Sequence, residues 1–318
     1  MTDACLDQSS SKTRPSADLE NADVPFQVII SDVPNDHYSD SPNNSDLINF
    51  SLYRSLISSK PSHKLRHYRD EVIHAASLKS TTAAALLYKS GFHKLVDAAR
   101  RGEVERAALV DFMCGSGTFL VEGLMMASDK APLLAHAGGE RITAVRWSSA
   151  EEGEVWRKLV EDAEERHGRG RALVGRREEG GKVAFLGNDV HASALRLARE
   201  GCRNAGFGVG GDVDVTLSEQ SCESMEMGGA VSEEGRVEVI GVVNPPWGLR
   251  LEGDVEESWL KLAEALRRPE MKSQECWVLS PPTTLSGSLK MKKTRELKFG
   301  GKEGGNLFTQ YNIFGDRE

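Results

Sequence analysis

The sequence predicts an α/β fold, doubly wound around a mostly parallel sheet, and two observations carry that prediction. Apolar runs of strand length alternate with helical patterns along much of the 318 residues, as crossover units require. The two most distinctive motifs, one rich in glycine and one in proline, each directly follow such a run, and open α/β sheets bind ligands beyond the carboxyl ends of their strands. Both motifs are therefore expected as neighbours at one edge of the sheet.

In chain order, residues 1–24 are polar, rich in Ser, Asp and Asn, and expected to be disordered. They contain no apolar h-region, so no secretory leader is expected; a cytoplasmic protein is the reading, with nucleus and organelle left open. Residues 25–76 read as a linker-like segment, extended at its start, that packs on the main domain at 77–318. Thr81 to Lys89 predicts a helix: its body is rich in Ala and Leu, Ser80 is a candidate N-cap, and Gly91 lies just past its end. There follow a strand at 107–111, a helix at 118–127, a strand at 183–188, a helix at 192–205, strands at 213–217 and 237–243, a helix at 255–267 and a strand at 275–280. An insertion at 128–181 interrupts this order. Within it Trp156 to Arg166 is charged and helical in pattern, and the glycine-rich stretch Gly168 to Gly181 is expected to be a flexible loop.

The run Val237 to Val243 opens into Asn244-Pro245-Pro246-Trp247. Two consecutive prolines fix φ and remove two backbone donors, which leaves a rigid set of acceptors. The Asn244 side-chain oxygen and the Pro245 carbonyl can both accept from one exocyclic amino group, while Trp247 offers a flat face for a base to stack on. So held, the nitrogen lone pair can face an electrophilic methyl group without a strong base. Taken alone, the tetrapeptide is also compatible with a proline-rich turn and a core tryptophan.

The second motif is strand, turn and helix: Ala107 to Val110, then Asp111-Phe112-Met113-Cys114-Gly115-Ser116-Gly117-Thr118, then Phe119-Leu120-Val121. Gly115 and Gly117 allow a ligand close to the backbone, and Asp111 at the strand end can hold a ligand ammonium group. Leu120 stands where a dinucleotide fingerprint has its third glycine, and a Gly-Lys-Ser/Thr sequence is absent, so neither NAD nor ATP is favoured. Asp189 ends the strand 183–188 and is the candidate acceptor for ribose hydroxyls.

The five cysteines, at 5, 114, 202, 222 and 276, form no C-x-x-C pair and no zinc spacing, which fits a reducing compartment. Cys114 reads as a small residue lining the turn rather than a nucleophile, and no metal site is expected. No apolar run approaches the ~20 residues of a membrane span, and no membrane partner is expected. The net charge of −8 requires that nucleic-acid binding rest on local basic patches. Candidates are Lys290, Lys292, Lys293 and Arg295, and Lys64, Arg66 and Arg69.

Several segments in the right order resemble the class I S-adenosylmethionine-dependent RNA methyltransferases that form N2-methylguanosine in large-subunit ribosomal RNA, and their THUMP-domain relatives. They are Leu78-Lys79-Ser80-Thr81-Thr82-Ala83-Ala84-Ala85-Leu86-Leu87, the turn from Asp111 to Glu122, the insertion from Arg146-Trp147 to Trp156, Asn244 to Leu251, and the closing stretch from Leu297 to Leu307. The resemblance implies a Rossmann-like, seven-stranded sheet with a C-terminal antiparallel hairpin. It further implies that Asp111, Cys114, Gly115, Ser116, Gly117 and Thr118 surround the methionine end of S-adenosylmethionine, that Asp189 takes the ribose, and that Asn244, Pro245, Pro246 and Trp247 hold a guanine amino group of RNA. Phe112 stands where the family has proline, Trp247 where tyrosine is commoner, and Ser221 near where an acid contacts the adenine amino group. Too little chain precedes the basic segment His63 to Arg69 for a THUMP domain. The same tetrapeptide also suits adenine N6 in DNA or a protein glutamine, and a truncated, non-catalytic S-adenosylmethionine-binding chain is a further alternative. Whether an activator subunit is needed is left open.

Overall fold

A computed structural model describes residues 26–32, 48–54, 66, 68, 77–134, 149–227, 237–247, 255–268, 271, 274–281, 284–299 and 306–312. The chain divides into two units, residues 1–65 with 133–161, and residues 66–132 with 162–318. In the first unit, β1 (Phe26–Asp32) pairs antiparallel with β2 (Ile48–Arg54), from Phe26 opposite Arg54 to Asp32 opposite Ile48. The start of the expected linker is thus a two-stranded hairpin, because Phe26, Val28, Ile30, Phe50 and Leu52 alternate in both strands and share one face. The expected disordered tail lies outside the described residues.

The second unit is a seven-stranded sheet flanked by helices on both faces. Its elements are α1 (Ser80–Ser90), α2 (Phe92–Arg101), β3 (Arg106–Asp111), α3 (Thr118–Ala127), β4 (Val183–Asp189), α5 (Ala192–Asn204), β5 (Val215–Glu219), β6 (Val237–Val243), α6, as numbered below, β7 (Glu275–Ser280), β8 (Lys292–Phe299) and β9 (Asn306–Asn312). The helix α4 (Ala150–Val174) begins in the first unit and ends in the second, so the helix Val255–Leu266 after β6 is α6.

Strand order is β5-β4-β3-β6-β7-β9-β8, with β5 through β7 parallel and β9 antiparallel to both of its neighbours. The predicted doubly wound sheet and C-terminal hairpin are both present. The chain runs outward from β3 to β5, then returns to β6 on the other side of β3. The topological switch point therefore lies between β3 and β6, and both motifs follow these two strands.

β3 is buried along its whole length and alternates its side chains between two cores. Ala107 and Leu109 join a cluster with Phe92, Phe119, Phe185 and Trp277 under α1, α2, α3 and α5. Ala108 and Val110 join another with Trp259, Leu262 and Met271 under α6. Among the described residues no helix is long and apolar enough to cross a membrane.

Three local expectations are corrected. Ser80 is not the N-cap of α1; that position is Lys79, without a side-chain cap, and Ser80 is buried as the first helical residue. Gly91 does end the helix, at φ 89°, where a residue without Cβ is least strained. Gly168 and Gly170 are not in a flexible loop but inside α4. A Cβ on Gly170 would lie 2.2 Å from the Ser128 carbonyl oxygen, so this glycine serves close packing of helix on backbone. Finally, the strand expected at 213–217 runs instead at Val215–Glu219, because Val213 bridges Val209 in the preceding turn and Asp214 pairs with Arg106.

Candidate active site

The site is built on the turn after β3. The Cys114 amide donates to the Asn188 carbonyl (2.7 Å) and the Gly117 amide to the Cys114 carbonyl (2.8 Å). Gly115 and Gly117 both adopt positive φ, 55° and 73°. They do so for different reasons. Around Gly115 a Cβ would meet nothing, so its backbone faces open space, whereas at Gly117 a Cβ would press on Ala198 of α5 at 2.8 Å. One glycine leaves room for a ligand and the other lets α3 approach α5. Thr118, the first residue of α3, is buried beneath the turn.

Asp111 is buried at the end of β3, and its Oδ1 accepts a 3.3 Å bond from the Met113 amide. Burial pushes its carboxyl well above the usual carboxylate range, the Met113 bond opposes this, and the Asp189 charge adds to it. Asp189 has both oxygens engaged: Oδ2 accepts from the Gly115 amide and Oδ1 from the His191 amide, each at 2.9 Å. It clamps the turn to β4, a structural task the sequence did not reveal, and each carboxylate oxygen keeps further acceptor capacity. Cys114 is buried, and burial followed by the charges of Asp111 and Asp189 raises its thiol well above the ordinary value, so it is no ready nucleophile. The Ser116 hydroxyl lies 3.0 Å from that of Ser77.

Beyond β6 stands the proline-rich motif. Asp111 is in register with Val242, so Asn244 emerges two residues further, beside the glycine turn. Pro245 is buried, while Asn244, Pro246 and Trp247 are half-buried. Asn244 Oδ1 is buried and has no hydrogen-bond partner among the described residues. A buried acceptor without a donor costs about 1–3 kcal/mol, and a ligand amino group is the kind of partner that would offset it. Trp247 packs its partly buried ring against the core cluster containing Trp277 and Phe308.

Residues 66–298 match the family described as RMKL-like, methyltransferase domain. The chain belongs to this family. Among its relatives, Ribosomal RNA large subunit methyltransferase K/L of Hydrogenovibrio crunogenus is 33% identical over 236 residues, which is 74% of this chain and 28% of that protein. The protein of the same name from Syntrophotalea carbinolica is 32% identical over 261 residues, 80% of this chain and 30% of its own. This chain thus spans under a third of the length of these two curated relatives. Among solved structures, SMU.472, a methyltransferase candidate complexed with SAH, has a TM-score of 0.60 at 19% identity, over 85% of this chain and 59% of that one, a likeness of fold.

In this methyltransferase domain four supporting residues escape motif reading. Asn188, buried, donates to the carbonyls of Phe112 (3.2 Å) and Gln220 (2.9 Å) and accepts from Ser218 (2.9 Å), which ties the ends of β3, β4 and β5 together. Ser221, just after β5, donates to the Glu223 carboxylate, so an acid does stand at this corner, two residues beyond the expected position. Trp259 of α6, fully buried, donates its indole N–H to the Pro246 carbonyl at 3.0 Å. Glu122 of α3, also buried, takes an ion pair from Arg66 (3.0 Å) and a hydrogen bond from the Tyr68 hydroxyl (2.6 Å). That pairing withdraws Arg66 from the expected basic patch; Lys64 and Arg69 lie outside the described residues. Only Glu223 carried a sequence signal, an acid near Ser221; the other three depend on partners distant in sequence.

Proposed function

We propose that this domain transfers a methyl group from S-adenosylmethionine to the N2 amino group of a guanosine in ribosomal RNA. The observation that carries the reading is the buried, unpartnered oxygen of Asn244 beside the open turn at Gly115. The names of the relatives supply the RNA class.

The residues fit the cofactor. Among the described residues no cation offsets the charge of the buried Asp111 carboxylate, and a ligand ammonium would favour its ionised form. Gly115 and Gly117 leave the backbone of the turn approachable, and Asp189 keeps acceptor capacity for ribose hydroxyls. Ser221, backed by Glu223, supplies the acceptor for the adenine amino group that a direct acid supplies elsewhere in the family. Bound there, S-adenosylmethionine would provide an electrophilic methyl group.

Asn244 Oδ1 and the Pro245 carbonyl would accept hydrogen bonds from the two amino N–H groups and orient the nitrogen lone pair, and the nitrogen would lose its surplus proton to solvent. Trp259 fixes the next carbonyl, that of Pro246, so the rigid proline pair is anchored from below. These residues would contribute to rate by orienting the acceptor amine and excluding water, with the cofactor held by the turn after β3. A paired guanosine has to leave its stack, with Trp247 as the surface it stacks on. We place the activity in the cytoplasm, a reducing compartment that suits the free cysteines at 114, 202, 222 and 276.

Nucleoside mass spectrometry on unmodified large-subunit ribosomal RNA, incubated with the purified chain and S-adenosylmethionine, tests this. N2-methylguanosine that disappears with Asn244→Ala, while cofactor affinity persists, is the expected result. A methylated adenosine instead would change the acceptor. Cofactor binding without any product would overturn catalysis by this chain alone and point to an activator subunit or to a non-catalytic binding role.

A further inference from the structure

We propose that the outer edge strand β8 is a track for the phosphate backbone of the nucleic acid, with Lys292 and Arg295 contacting phosphates several nucleotides away from the target base; this rests on the RNA reading above. Between Lys290 and Phe299 the chain carries Lys290, Lys292, Lys293, Arg295 and Lys298 against the single acid Glu296, in a protein of net charge −8. These cations are exposed. Lys293 pairs with Glu296 at 3.2 Å, whereas Lys290, Lys292, Arg295 and Lys298 have no carboxylate partner among the described residues.

The β-bulge between Lys293 and Arg295 sets the geometry. Lys292 is opposite Asn312 and Lys293 opposite Tyr311, but Arg295 is opposite Gln310, because Thr294 is the extra residue. Lys292, Arg295, Leu297 and Phe299 therefore share one face of the sheet, and Lys293, Glu296 and Lys298 the other. Leu297 and Phe299 pack on the same core cluster as Trp247. The bulge thus brings two unpaired cations onto the face that carries the tryptophan of the catalytic motif, and leaves the paired lysine on the opposite face. From β6 to β8 is three strand spacings, about 14 Å. Along the strands Arg295 is level with Val242 and Lys292 with Ile240, short of Trp247, so an RNA whose base reaches Trp247 meets these cations with phosphates about 20 Å or more from that base.

A competing role exists for such residues, since lysines and bulges on edge strands also block strand-to-strand aggregation. Salt dependence separates the two. Each phosphate contact contributes about 0.7 to the slope of log K against log salt for a single strand and about 0.9 for duplex DNA. The probe is an unmodified large-subunit ribosomal RNA fragment, with duplex DNA of equal length as competitor, and binding is read by fluorescence anisotropy over a salt series. Lys292→Gln with Arg295→Gln is expected to lower the slope by about 1.4 on single-stranded RNA. Lys293→Gln with Lys298→Gln, equal in charge but on the other face, is expected to leave it within about half of one contact's slope. Cofactor affinity should be unchanged in both.

If the wild-type slope persists in the Lys292/Arg295 variant while wild type binds RNA, the track is refuted and the RNA reading stands. If both pairs lower the slope equally, the face assignment fails. If the variant self-associates on size exclusion with unaltered RNA binding, edge protection is the role. A wild type that binds no RNA at all defeats the RNA reading itself, and the track with it. Preference for the DNA competitor would defeat RNA as the partner.

Discussion

Trp259 is the residue whose substitution tests the positioning argument most directly. Trp259→Phe keeps an aromatic ring in the core under α6 but deletes the indole N–H that donates to the Pro246 carbonyl at 3.0 Å. Stability should fall by about 1–3 kcal/mol for the lost bond and its exposed partner, with a further term for the smaller ring. For a domain of this size each kcal/mol lowers the melting temperature by about 2–4 °C, so the variant remains folded at assay temperature. The catalytic effect is expected to be larger than that loss implies. The two prolines have fixed φ, so movement at Pro246 is passed to Asn244 rather than absorbed, and a displacement of about 1 Å at a reacting group can cost about 100-fold in rate. Single-turnover transfer of a labelled methyl group to ribosomal RNA should therefore slow by about 10- to 100-fold, while cofactor affinity by calorimetry stays within about two-fold. An unchanged single-turnover rate in a destabilised variant would show that Trp259 only fills the core. Equal losses in rate and cofactor affinity would show a general collapse of the sheet edge, and either result refutes the positioning role.

Asp111→Asn should raise thermal stability at neutral pH and lower cofactor affinity. The folded carboxyl lies above its unfolded value, so its favourable contribution is full below the unfolded pKa and is lost as pH rises through the folded one. For the same reason wild-type cofactor affinity should fall on acidification, as the carboxyl takes up a proton, and calorimetry at several pH values should find that dependence flattened in Asp111→Asn. Gly117→Ala should cost about 1–2 kcal/mol for a left-handed Cβ and about 1–3 more for overpacking on Ala198, whereas Gly115→Ala carries only the first cost; denaturant melts compare them. Glu223→Gln should weaken S-adenosylmethionine binding with less effect on the rate at saturating cofactor, and an unchanged affinity would remove the Ser221 and Glu223 pair from adenine recognition.

The elements legible in the sequence were those whose signal is local. Apolar runs bounded by glycine, as at Leu109 and Val110 before Gly115, placed β3, and the helix start at Thr118 was readable from the turn itself. The order of the two motifs placed them at adjacent strand ends, which the register of Asp111 on Val242 bears out. What failed depended on a distant partner. Gly170 looked like a loop residue because its reason, the Ser128 backbone against α4, lies 42 residues away in sequence. β5 shifted by two residues because Asp214 is claimed by Arg106. Asp189 was legible as a strand-end acid, but its clamp on the Gly115 amide was not, since a backbone donor leaves no trace in sequence.

These distant partners also explain how so polar a site persists at the centre of a packed sheet. Among the described residues no cation offsets the buried Asp111 and no donor answers Asn244 Oδ1, and two glycines hold left-handed conformations. Each is unfavourable in the free protein, and each is secured by a neighbour outside the motifs. Asn188 binds three strand ends, Asp189 closes the turn, and Trp259 anchors the prolines. Ligand binding can then release what the fold has stored: an ammonium beside Asp111 and an amino group on Asn244 would satisfy those two groups. The transfer rate should therefore depend on a residue that touches neither cofactor nor acceptor, which is why Trp259→Phe, rather than another substitution within the tetrapeptide, separates positioning from contact.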